Sequence, residues 1–342
     1  MNIVLCENAE KRAFTAGNKA RTDTVRILID SGYKHIPLFR SKSKKLIIIL
    51  QMFVGVLRTY FLANRNDIVF IQYPYYPAMV NSILLFLLRF GRGIKHFKIC
   101  ILIHDSVGLR DTGSKSEVLR KEVELLNKAD YVISHNEKMT EAFREVGAEG
   151  KYFTLGPFDY LYDVQLANVE YDREPTICVA GNLSKSKCGY LYEIDSIKHC
   201  KFNLYGLDYS GITNERIIYN GSFAPEELIE HLQGSFGLVW DGNSLEKCDG
   251  KFGNYLKFNN PHKFSLYIAA GLPIIIWDKA ALSKYVKEMG IGICTSSLEE
   301  LDTVLQKLTN NEYQRMVDNV RRYREDIAHG NNLKRILLEE IL

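Results

Sequence analysis

Asp249-Gly250-Lys251-Phe252-Gly253-Asn254-Tyr255-Leu256-Lys257-Phe258-Asn259-Asn260-Pro261-His262-Lys263-Phe264-Ser265-Leu266-Tyr267-Ile268-Ala269-Ala270-Gly271-Leu272-Pro273 is the stretch whose reading decides the fold. A loop of glycines, aromatics and amides passes through Asn260-Pro261-His262-Lys263 into a short apolar helix. Gly271, with Pro273 just beyond it, is the usual helix stop, and the apolar run Ile274–Trp277 follows as a strand. Strand, loop, helix, strand is the repeating unit of a parallel α/β sheet. A helix N-terminus carrying Lys and His also suits a phosphate, because its free N–H groups and its dipole both favour an anion. An ordinary crossover with a polar loop reads the same way, and both readings stand at this point.

The rest of the chain repeats that unit. Asp67–Tyr73 and Lys98–His104 are continuous apolar runs ending in polar residues, as expected of strands buried on both faces of a parallel sheet. Ile3–Cys6, His35–Phe39, Tyr131–His135 and Tyr152–Leu155 continue the series. Periodicity fails around Gly156–Tyr171, the best linker. A second series then starts at Thr176–Ala180 and runs through Phe202–Tyr205, Ile217–Tyr219, Phe236–Trp240, Ile274–Trp277 and Gly292–Thr295. At 342 residues two domains are expected, each able to bury its own core. The reading is an α/β protein of two Rossmann-like doubly wound domains facing a cleft. Residues 1–165 form the first, residues 172–325 the second, and residues 326–342 a C-terminal helix returning to the first.

Hydrophobic content of 46% and charged content of 25% are those of a soluble globular protein. Seven cysteines without a C-x-x-C pair suggest free thiols in a reducing compartment and argue against zinc. No signal peptide is read at Met1–Cys6. The net charge of +3 hides an asymmetry: residues 1–110 hold 17 Lys+Arg against 6 Asp+Glu, and the remainder 27 against 35. The first half is therefore expected to meet something anionic. Leu46–Leu62, behind the cluster Arg40, Lys42, Lys44 and Lys45, reads as a helix with an unusually wide apolar face. Its non-apolar positions Gln51, Gly55, Arg58 and Thr59 fall on one stripe. Burial against a sheet and partial insertion into a bilayer surface are both open. Ala78–Phe90, followed by Arg92, Lys95 and Lys98, repeats the theme.

Chemistry is sought in loops beyond the carboxyl ends of strands, where open α/β sheets bind their ligands. His104-Asp105 ends one strand; Asp105 there is a candidate general base with His104 to orient it, or else it caps the next helix or pairs with Arg110. The loop after the first strand, with Gly17, Lys19 and Arg21, is a candidate cleft loop. Gly181, Asn182, Ser184 and Lys185 follow the first strand of the second domain and could cradle a phosphate, although they match neither G-x-G-x-x-G nor G-x-x-x-x-G-K-[ST]. Asp241 ends another strand and could touch sugar hydroxyls or cap a helix. No Asp-x-Asp occurs, so a carboxylate-held metal has no obvious ligands and none is expected. Positive charge for an anionic leaving group would then come from lysines and helix dipoles, with Lys263 the natural supplier.

Six stretches carry a family resemblance: Ala180–Ser184, Val239–Ser244, Phe252–Lys263, Trp277–Leu282 and, less specifically, Ile103–Asp105 and Ile133–Asn136. Together they resemble bacterial glycosyltransferases of the GT-B fold, in particular the β-1,6-galactofuranosyltransferases of O-antigen synthesis. A more distant likeness is to the accessory glucosyltransferases that glycosylate serine-rich adhesins, in which a lysine just before the Ala-Ala-Gly-x-Pro turn contacts the donor diphosphate; that position here is Lys263. The resemblance implies UDP-galactofuranose as donor, bound by the second domain, and a lipid-linked oligosaccharide acceptor bound by the first. It also implies surface polysaccharide synthesis by a cytoplasmic enzyme, peripheral on the inner face of the plasma membrane. Tyr255, Asn259, Asn260, Pro261 and His262 would line the donor beside Lys263. Many retaining GT-B enzymes place a glutamate in the helix before the Gly-x-Pro turn; Lys263–Ala270 contains no carboxylate, which favours inversion.

A transferase using another donor such as UDP-glucose is the alternative within enzymes. A non-catalytic binder of anionic polymers is the distant one; no nucleic-acid motif is present and nucleic acid is not an expected partner. A homo-oligomer is compatible with all of these. On this reading Lys263→Ala lowers turnover at least tenfold, within the range for loss of one preorganised donor, and leaves thermal unfolding nearly unchanged.

Overall fold

The continuous apolar runs become the interior strands of two parallel sheets. The computed structural model of the chain describes residues 1–8, 16–40, 43–162 and 175–341. Lys11, Arg12 and Lys42, counted above among the basic residues, and the end of the linker lie outside them, as does the side chain of Arg40. The chain forms two units: Met1–Ala13, Ala20–Leu155 and Asn332–Leu342 make the first, Phe14–Lys19 and Gly156–Asn331 the second.

In the first unit the strands are β1 (Ile3–Asn8), β2 (Lys34–Arg40), β3 (Ile68–Tyr73), β4 (Lys98–Ile103), β5 (Tyr131–Ser134) and β6 (Lys151–Thr154), in the order β2-β1-β3-β4-β5-β6. Their crossovers carry α1 (Ala16–Asp30), α2 (Lys45–Leu62), α3 (Met79–Lys95), α4 (Val107–Thr112), α5 (Glu117–Leu126) and α6 (Glu137–Arg144). Every residue of β3 is buried, and all of β4 but its first. Helices on both faces leave no solvent side, so no polar alternation survives in these strands.

The second unit has β7 (Thr176–Asn182), β8 (Lys201–Leu207), β9 (Ile217–Tyr219), β10 (Phe236–Val239), β11 (Ile274–Trp277) and β12 (Gly292–Thr295), ordered β12-β11-β10-β7-β8-β9. Its helices are α7 (Pro225–His231), α8 (Gly250–Tyr255), α9 (His262–Ala269), α10 (Ser283–Met289), α11 (Leu301–Lys307) and α12 (Asn310–Ala328); α13 (Asn331–Ile336) follows. Tyr267 of α9 explains the glycine inside β10. Its ring lies where a Cβ on Gly237 would sit, 2.1 Å from the nearest ring atom, and its hydroxyl accepts from Ala180 N at 2.7 Å. α12 buries Tyr313, Val317, Val320, Tyr323 and Ile327 in the second unit's core, so the return to the first unit begins at Asn332.

Two expectations change. Gly17, Lys19 and Arg21 do not lie in a loop: α1 starts at Ala16 and holds all three in its first turns, because Ala20, Thr24, Ile27 and Leu28 repeat at helical spacing and are buried. The stripe of α2 is also turned round. Gly55 and Thr59, read as part of its polar face, are buried together with Ile48, Met52 and Val56, while Leu50, Phe53, Leu57 and Phe61 are exposed. Close packing on β2 selects the small residues: a Cβ on Gly55 would lie 3.1 Å from the Leu38 side chain and 3.2 Å from Pro37 O.

Candidate active site

In the second unit two loops at the carboxyl ends of adjacent strands are laced together. Gly242 N donates to Lys187 O (2.8 Å) and Tyr190 N to Gly242 O (3.3 Å). The Cys188 thiol donates to Asn182 O at 3.3 Å and faces Asp241 Oδ1 at 3.8 Å. This brings the end of β7, which includes Gly181 and Asn182 rather than leaving them in the loop, and the following Ser184 and Lys185 against Asp241 after β10. Asn182 Oδ1 accepts from Ser184 N at 2.9 Å, a turn that leaves Gly181, Asn182 and Lys185 exposed. The Lys185 ammonium lies over the Tyr192 ring, 5.5 Å from its centroid.

Lys263, in the first turn of α9, reaches back under these loops. Its Nζ is 2.8 Å from Asp241 Oδ1 and donates to Trp240 O, also at 2.8 Å. The two side chains are only 10% and 7% exposed. Burial opposes the ammonium charge, but the Asp241 carboxylate outweighs it, with the Cys188 thiol adding to the effect, and the pKa of Lys263 is raised. This buried pair argues against the expectation that Lys263 can be truncated without cost to stability, since its removal would strand a buried carboxylate.

His262, assigned to the donor by resemblance, is packed with its neighbours. Its ring lies 5.1 Å from that of Tyr160 and 6.1 Å from that of Phe158, and its buried Nε2 has no hydrogen-bond partner. Burial, reinforced by the nearby Lys19 charge, lowers its pKa to about 3, so the ring is neutral at pH 7. Lys19, 3% exposed, donates to Leu161 O at 2.6 Å and stands 4.6 Å over the Tyr160 ring. It thus keeps company with His262 rather than with Arg21. Asn260 is buried and donates to Gly156 O at 2.6 Å. Tyr255 is buried, while Asn259 and Pro261 are partly exposed.

The first unit assembles a separate strand-end group. Asp105 pairs with Arg110, whose Nε also donates to Asp111 at 2.9 Å. Of the alternatives open from sequence, the ion pair is present, and the cap of α4 is Ser106, whose Oγ accepts from Leu109 N. His104 Nε2 is 2.6 Å from Gln72 Oε1. Arg21 donates to Pro74 O (2.5 Å) and Gln72 O (3.4 Å). Gln72, Arg21 and His104 are thereby held together at the ends of β3 and β4, with Asp105 following His104 in the chain and paired to Arg110. Glu122 of α5 went unread: its Oε2 accepts from Ser106 Oγ (2.7 Å) and Gly108 N (2.9 Å), pinning the turn after Asp105. Its signal was a carboxylate on the apolar stripe Leu119, Val123, Leu126; burial raises its pKa. Among the described residues no three His, Cys, Asp or Glu side chains gather as a metal site.

The architecture recurs in sucrose-phosphate synthase from Thermosynechococcus elongatus, with a TM-score of 0.64 over 98% of both chains at 14% identity. At the level of sequence, 35% identity over 336 residues joins the chain to the beta-1,6-galactofuranosyltransferase WbbI of Escherichia coli (strain K12), covering 95% of this chain and 94% of that one. Glucosyltransferase 3 of Streptococcus gordonii is 26% identical over 247 residues, 72% of this chain and 71% of its own. Two parallel-sheet units with this kinship define a glycosyltransferase of the GT-B fold. More narrowly, residues 2–157 match the N-terminal and residues 177–340 the C-terminal domain model of glucosyltransferase 3-like proteins, and the chain belongs to that family.

Proposed function

We propose that this chain transfers galactofuranose from UDP-galactofuranose to a hydroxyl of a lipid-linked glycan, with inversion at the anomeric carbon and without a metal. The observation that carries the donor is the 35% identity, across both units, to a protein named for galactofuranosyl transfer. The second unit would hold UDP, with Lys185 and Lys263 offsetting charge that grows on the diphosphate as its bond to the sugar breaks. Asp105 of the first unit would take the proton from the acceptor hydroxyl while the acceptor oxygen bonds to the anomeric carbon, and UDP leaves. His104, fixed by Gln72, would position the acceptor.

A second reading, UDP-glucose as donor, is favoured by both domain models, which are named for glucosyltransferase 3. A panel of sugar nucleotides offered with excess chelator, scored by UDP release and by the anomeric configuration of the product, separates the two. UDP-galactofuranose should be the preferred donor and give the β-linked product. Preference for UDP-glucose would overturn the donor assignment, a retained α-linkage the inversion, and loss of activity with chelator the metal independence.

A further inference from the structure

α2 and α3 lie side by side on one face of the first unit's sheet. The Tyr60 hydroxyl donates to Leu87 O, and Gly91 admits the Tyr60 ring, which would overlap a Cβ there. Their outward sides are apolar: Leu50, Phe53, Leu57 and Phe61 on α2, the last 84% exposed, and Phe86, Phe90 and Ile94 on α3, with Phe86 67% exposed. A face of two adjacent apolar helices exceeds the scattered hydrophobics normal to a soluble surface. A groove of about 300 Å³ between α2 and the edge strand β2 continues it, lined by Pro37, Leu38, Phe39, Leu50 and Val54, with Arg58 among its walls.

Charge identifies the occupant. From Ser31 to His104 the sequence carries eleven lysines and arginines and a single acid, Asp67, and Asp67 is engaged by Asn64 N at 2.7 Å. Lys44, Lys45, Arg58 and Arg89 are exposed on or beside the two helices. Two copies pressed together through this face would oppose like charge to like charge, since a twofold contact is self-complementary. We infer that the α2–α3 face is the docking surface for an anionic lipid bilayer, with the apolar side chains entering the acyl boundary and the cations meeting the headgroups.

The same geometry says that α2 lies in the interface rather than crosses it. Eighteen residues at a mean hydropathy of 1.7 are enough to span by length and composition. Yet Ile48, Met52, Gly55, Val56 and Thr59 are buried on its inner side, and Gly55 sits on Pro37 and Leu38 of β2. Crossing would tear α2 from its own sheet.

The test is flotation of the full chain with phosphatidylcholine vesicles, with and without phosphatidylglycerol, alongside sedimentation velocity without lipid. The wild type should float with the anionic vesicles and lose binding as salt is raised. Lys44→Gln/Lys45→Gln should weaken that binding about 25-fold, at about fivefold per cation. Phe86→Ser/Phe90→Ser, on exposed positions, should weaken it at least tenfold. UDP affinity should stay unchanged in both variants, so a defect in the proposed donor site registers separately. Wild-type protein that fails to float overturns the inference. So does a dimer that the face variants convert to monomer while vesicle binding is unaltered.

Discussion

Replacing Lys263 by methionine keeps the volume of the side chain but leaves Asp241 in a site only 7% exposed with its ion-pair partner gone. Breaking a buried pair from one side costs about 3–5 kcal/mol, mostly the desolvation of the surviving charge. In a body of the second unit's size, 1 kcal/mol is roughly 2–4 °C of melting temperature, so Lys263→Met should lower it by about 6–20 °C. Asp241→Asn should cost a comparable amount by stranding the ammonium. The double variant removes both charges and should fall short of the sum of the single effects by at least ~2 kcal/mol. The assay is built into the chain: both tryptophans, Trp240 and Trp277, belong to the second unit, so urea unfolding followed by tryptophan fluorescence reads that unit. Turnover measured well below the melting temperature should fall at least tenfold in Lys263→Met. A Lys263→Met midpoint equal to wild type, or strict additivity in the double variant, would refute the buried pair.

Two further outcomes are expected from the same fluorescence readout. The folded unit refuses a proton on His262 until about pH 3, whereas the unfolded chain accepts one near 6.5; stability is therefore complete above pH 6.5 and is lost as pH falls below it. From pH 7 to 5 the loss is at most about 2 kcal/mol, and His262→Phe should remove that slope; an unchanged slope in the variant would assign it elsewhere. Gly237→Ala forces a methyl into the Tyr267 ring, 2.1 Å from its nearest atom, and should cost at least ~1–3 kcal/mol by overpacking; a neutral result would mean that Tyr267 does not occupy that space.

Burial made the sheets readable and hid much of the site. β10 and β11 stand where uninterrupted apolar runs ended in turns, because strands covered on both faces need no other pattern. Gly55 and Thr59 misled for a related reason. Periodicity finds a stripe but not its side, and in α2 the small residues face the sheet because closeness there matters more than polarity. Asp241 and Lys263 were both legible as strand-end and helix-start residues, yet their pairing depends on β10 and α9 being neighbours, a fact of tertiary structure 22 residues away in sequence. Lys19 and Arg21 lie on the same helix and part company for the same reason: one reaches Leu161, the other the end of β3.

The buried pair also redistributes the electrostatics of the loops after β7 and β10. A lysine held against a carboxylate adds little net field at a distance, so Lys263 alone does not make the region attractive to a diphosphate. Exposed positive charge in this region lies on Lys185 and Lys247, in the loops after β7 and β10 that Gly242 and Tyr190 lace together. Lys187 and Lys251 flank the Phe252 ring at 5.5 and 4.8 Å. Besides the charge proposed for it at short range, Lys263 acts by position: it fixes the start of α9 to Trp240 O and Asp241, and so sets where the free N–H groups of that helix end point. Attraction at range and orientation at contact thus fall to different lysines. Such a division would let the region keep one ammonium almost wholly out of water and still offer positive charge to an anion.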